Sequence, residues 1–116
     1  MGSEYVPRNK KVEEFSVNSW GRDLLGRLHE ALGLPIYEDD HAWKYFGRQE
    51  PFHVPYRAKA AEAKMWGAAL AQVPDERVKK IIIDKPSGWG GTQDEWVEWV
   101  RNWQKFLLTC SGYSGI

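Results

Sequence analysis

The stretch TQDEWVEWVRNWQKFLLTC, residues 92–110, decides how the rest of the chain is read. Trp96, Trp99, Val100, Trp103, Phe106, Leu107 and Cys110 recur at helical spacing on one stripe, while Glu98, Arg101, Asn102, Lys105 and Thr109 face away. Thr92 and Glu95 have the spacing of a capping box, in which the hydroxyl accepts from the Glu95 amide and the carboxylate reaches back. Gly112 offers a stop beyond the last periodic residue. The spacing predicts a helix over residues 93–110 whose broad aromatic stripe is the central element of the core.

Two further helices are expected to pack on it. Over residues 19–32, Trp20, Leu24, Leu25, Leu28, Ala31 and Leu32 share a side, with Arg22, Asp23, Arg27, His29 and Glu30 opposite. Gly33 stands at a natural C′ position and Pro35 blocks continuation. Residues 56–73 follow Pro55, are rich in Ala, Lys and Glu, and carry a stripe of Ala63, Trp66, Leu70 and Val73 before Pro74. Asp75, Glu76 and Arg77 read as a helix start, yet the β-branched run Ile81, Ile82, Ile83 favours an extended piece. Phe15 to Asn18 alternates like a short strand, residues 41–46 like a helical turn, and residues 85–91 read as a loop. Residues 1–14 are polar and read as a flexible arm, with Met1, Gly2 and Ser3 resembling a cloning remnant. Residues 15–116 then form one globular domain of mainly α class, three helices with minor β; a small α+β arrangement is the alternative, with Phe15 to Asn18 paired to residues 81–84 or to the C-terminus.

Composition narrows the function without naming it. The chain has 116 residues and a formal net charge of zero, from 16 basic and 16 acidic side chains. Neutrality removes the usual electrostatic argument for nucleic acid or an anionic membrane as partner, and neither is expected. Cys110 is the single cysteine, which excludes an intramolecular disulfide and fits a reducing compartment, so a cytoplasmic location is expected.

Phe15-Ser16-Val17-Asn18-Ser19-Trp20, followed by Leu24-Leu25, resembles the opening of a group of small bacterial proteins with an F-x-V-N-x-W motif. The Ala-rich helix ending in Pro74 is similar to theirs, as is the closing phrase Phe106-Leu107-Leu108-Thr109-Cys110-Ser111-Gly112-Tyr113. The resemblance implies a bacterial or phage-borne soluble domain; the group has no established activity, so no site residue carries over.

Chemistry-bearing patterns are few. Glu38, Asp39, Asp40 and His41 concentrate potential ligands, but consecutive side chains rarely converge and no EF-hand spacing is present, so neither a metal nor any other cofactor is expected. Residues 87–92 place Gly88, Gly90 and Gly91 before a helix N-terminus, where backbone amides can hold an anion. The phosphate-loop lysine is missing, and Asp94 and Glu95 oppose a phosphate. No nucleophile elbow, HExxH or CxxC occurs, and no catalytic residue is assigned. Of the seven tryptophans, Trp20, Trp66, Trp96, Trp99 and Trp103 lie on helical stripes, whereas Trp43 and Trp89 lie in loop-like segments. The reading is a non-enzymatic domain, immunity- or inhibitor-like, that binds another protein through Trp43, Trp89, Glu38, Asp39, Asp40, His41, Gly90 and Gly91. The alternative is a small enzyme or anion-binding domain using the glycine loop.

Overall fold

A computed structural model describes residues 3–17, 19–38, 52–83 and 92–115. The chain runs β1 (Ser3–Pro7), β2 (Phe15–Val17), α1 (Ser19–Ala31), β3 (Tyr37–Glu38), β4 (Phe52–His53), β5 (Arg57–Lys59), α2 (Ala60–Ala71), α3 (Asp75–Ile83), α4 (Gln93–Thr109) and β6 (Gly112–Gly115). Four strands form an antiparallel sheet in the order β2-β1-β6-β5, and β3 pairs with β4 separately. With four helices and this sheet among the described residues, the domain is α+β rather than a three-helix bundle, as in the alternative arrangement. The pairing differs from that alternative, because β2 joins β1 and β1 joins the C-terminal β6.

The largest correction lies at the N-terminus. Residues 3–7, expected as part of an arm, form an internal strand of the sheet, and Tyr5 is fully buried. The polar neighbours that made this segment look loose, such as Glu4, occupy the alternate positions of a strand with one solvent face. Asn9 continues the attachment: its amide donates to the Cys110 carbonyl at 2.9 Å, and its side chain donates to Thr109 O at 3.1 Å. Two of the orphan carbonyls at the end of α4 are thereby satisfied by the chain's own beginning.

Residues 57–59 are likewise strand, not the first turn of a helix. Arg57 pairs with Ser114 and Lys59 with Gly112, and α2 begins only at Ala60. At that boundary the Lys59 amide donates to Glu62 Oε1 at 3.0 Å. The three isoleucines go the other way. Val78 and Ile82 are buried at i, i+4 spacing within α3, so helical amphipathicity overrides the β-branched preference.

α4 keeps the role its periodicity predicts. Trp103 is fully buried and its ring stacks on Phe106 at 5.5 Å, with Tyr5 at 5.3 Å, Phe15 at 5.1 Å and Tyr113 at 5.8 Å. Strand residues Tyr5, Phe15 and Tyr113 thus bring the inner face of the sheet against α4 (for Tyr113, also against Trp66 of α2 at 6.5 Å). α2 approaches α4 closely at Gly67, where a Cβ would lie 2.8 Å from Leu108 Cγ. α1 closes as expected through Gly33 (φ 71°): the Gly33 amide donates to Glu30 O and the Leu34 amide to His29 O, a Schellman pattern.

Candidate functional site

Most of the residues expected to contact a partner lie outside the described part: Asp39, Asp40, His41, Trp43, Trp89, Gly90 and Gly91. The helical turn expected over 41–46 and the loop over 85–91 lie outside it as well. Glu38 is described as the end of β3, its backbone paired with Phe52. Beside the glycine loop, Thr92 caps α4, its hydroxyl accepting from the Glu95 amide at 3.3 Å. That bond uses one of the amides an anion would need, and Asp94 and Glu95 follow in the first turn. No described group of three His, Cys, Asp or Glu side chains has metal-binding geometry.

Three buried polar side chains, His29, Tyr113 and Cys110, are engaged within the core, whereas the buried Tyr5 hydroxyl has no hydrogen-bond partner among the described residues. His29, placed on the polar side of α1 by periodicity, is fully buried instead. The indole N–H of Trp103 donates to His29 Nε2 at 3.2 Å, and an indole can only donate. His29 is therefore the neutral tautomer with its proton on Nδ1, which donates to Pro35 O at 3.1 Å. Burial pushes its pKa down to about 4, against a smaller opposing effect of the Pro35 carbonyl. Tyr113 donates its hydroxyl to Pro55 O at 2.5 Å, and burial holds its pKa well above the usual range. Cys110 is buried, and desolvation raises its pKa, the state of a packed thiol rather than a nucleophile.

Arg101, expected to face solvent, is half-buried and spans three helices. It donates to Leu70 O at 2.9 Å and Val73 O at 2.6 Å beyond the end of α2, and to Asp75 Oδ1 at 2.6 Å on α3. Trp66, Trp96 and Trp103 are buried and Trp99 is half-buried, in agreement with their helical spacing.

What the sequence reading missed is the outer face of the sheet. Residues directly opposite in antiparallel strands point to the same side, and the pairing of β1, β6 and β5 lines up two rows. Val6, Ser114 and Arg57 make one; Gly112 and Lys59 make the next, and Arg8, one residue past the end of β1, extends it through its amide, which donates to Gly112 O at 2.9 Å. Arg8, Arg57 and Lys59 are exposed and form no side-chain ion pair among the described residues. Read as a helix, residues 57 and 59 diverge around an axis; as a strand they share a face. Arg8 joins them only through the β1–β6 pairing, so no local signal in the chain announces the cluster.

Comparison with protein-family models, with curated proteins and with solved structures finds no match for this chain. No described helix is long and apolar enough to cross a membrane.

Proposed function

We propose that the chain is a non-enzymatic protein-interaction domain of bacterial or phage origin, immunity- or inhibitor-like in class. One observation carries the reading: the aromatic core lies on one side of the sheet, and Glu4, Arg8, Ser16, Arg57, Lys59 and Ser114 are left exposed on the other. Of the buried ionisable groups, His29, Tyr113 and Cys110 are occupied by the core's own contacts, while the Tyr5 hydroxyl has no hydrogen-bond partner among the described residues. Trp43, Trp89 and the acidic residues Glu38, Asp39 and Asp40 with His41 remain the proposed second contact region, since tryptophan dominates interface hot spots. The rival reading, a ligand or anion site at residues 88–92, draws no support from an α4 N-terminus already capped and acidic.

Affinity capture from a bacterial extract tests the proposal, with wild type, Trp43→Ala/Trp89→Ala and Val6→Asp/Ser114→Asp as baits. The expected result is a protein retained by wild type and lost by at least one folded variant. Recovery of the same set of proteins by all three baits overturns the reading.

A further inference from the structure

We propose that the β1–β6–β5 half of the open sheet face docks a short carboxylate-rich segment of a partner protein, held by Arg8, Arg57 and Lys59. The inference rests on the protein-interaction reading and names the chemistry of the partner.

The geometry is set by the sheet. Strands stand about 4.8 Å apart and alternate residues of a strand about 6.7 Å apart, so Arg57 and Lys59 are near neighbours and Arg8 lies about 10 Å across from Lys59. Their long side chains can converge over Gly112 and Ser114, which raise no bulk between them. Guanidinium groups grip carboxylates through paired N–H donors, and Lys59 adds a third positive charge. None of the three is consumed by a side-chain ion pair among the described residues, although the Glu62 carboxylate that accepts from the Lys59 amide offsets part of the charge at that end.

The patch is also bounded. Glu4, opposite Ser16, is exposed on the same face, and exposed Glu13 and Glu14 lead into β2. A long polyanion running across the sheet meets these carboxylates and is repelled, whereas a segment of a few residues feels only the field within a Debye length of about 8 Å. The two cationic rows offer no aromatic ring on which a nucleobase can stack, Val6 being their largest apolar side chain. Both facts favour an acidic peptide segment over nucleic acid. A second copy of the chain is disfavoured, because four strands of three to five residues, about 4.8 Å apart, span only about 300 Å², against the roughly 800 Å² per partner of a stable interface.

The test is an amide chemical-shift titration of the full chain with an octaglutamate peptide, with a twelve-nucleotide oligothymidine in parallel and the sedimentation of the chain alone as control. Expected are peptide-induced shifts centred on Arg8, Ala58, Gly112 and Ser114, abolished by high salt. Arg57→Glu/Lys59→Glu and, separately, Arg8→Glu weaken binding at least about tenfold with unfolding midpoints unchanged, while the charge-conserving Arg57→Lys/Lys59→Arg stays within about threefold. The proposal is overturned by no saturable binding to wild type, by binding indifferent to both reversals, by tighter binding of the oligonucleotide, or by a dimer that the reversals dissociate. A chain that keeps its partner in the capture experiment yet ignores octaglutamate loses this assignment alone and retains its broader function.

Discussion

His29 shows what one side chain can impose on a core. It accepts from Trp103 and donates to Pro35, so both ring nitrogens are used only while the ring is neutral. Protonation sets the new Nε2–H against the Trp103 N–H. Among the effects on its pKa, burial comes first, opposed by the hydrogen bond to the Pro35 carbonyl. Because the folded pKa of about 4 lies below the unfolded value of 6.5, the unfolded chain binds more protons between those limits. The resulting stability is complete above pH 6.5 and is lost as pH falls towards 4, on the order of 3 kcal/mol. Denaturant titrations across that window check it: His29→Leu is less stable at pH 7, with the Trp103 N–H and Pro35 O left unsatisfied, and lacks this component of the decline. A slope identical to wild type contradicts the assignment. Sequence periodicity put this residue on the wrong side of α1, because the indole donor that makes its burial tolerable is 74 positions away.

Elements are joined here by a few groups rather than by helix packing alone. Arg101 is predicted to be worth about 2–3 kcal/mol, since it satisfies the Leu70 carbonyl in the last turn of α2 and the Val73 carbonyl just beyond it while holding Asp75 of α3. Arg101→Ala lowers the unfolding midpoint accordingly, and Arg101→Lys recovers little, lacking the planar fork that reaches several acceptors. The turn from α4 into β6 is tighter still. Ser111 takes a left-handed φ of 58° and Gly112 a φ of 95°, and a Cβ on Gly112 would lie 2.8 Å from Ala58 O and 3.0 Å from Ala60 N. Both are backbone atoms, so Gly112→Ala is expected to cost several kcal/mol or prevent folding, read by thermal unfolding and by loss of dispersed amide signals. The helices were legible because Trp96 to Cys110 and Ala63 to Val73 repeat at a helical period. Strands of three to five residues carry too few alternations to declare themselves, and Arg57, Ala58 and Lys59 have better helical than extended propensity. Their state is decided by β6, which no local window contains.

On the scale of the molecule, the sheet is a join between the two ends of the described chain. Tyr5 faces Gly115 across the β1–β6 pair and enters the aromatic cluster around Trp103. Removing residues 1–9 therefore deletes an internal strand and the Asn9 contacts to α4, and the truncated chain is expected to lose cooperative unfolding; a sharp transition would show β1 to be dispensable. The candidate contact surface has the same origin, since Arg8 follows β1 directly, Arg57 and Lys59 lie on β5, and they meet only when β6 lies between the two strands. The pairing also orders events during synthesis. At about 5–20 residues per second, Tyr5 waits roughly 5–20 s for Gly115, its partner on the β6 side of β1. For that interval β1 has only β2 beside it and its β6 edge stands open, and the charged and polar residues around it, Glu4, Arg8, Asn9 and Lys10, keep it dissolved while it waits.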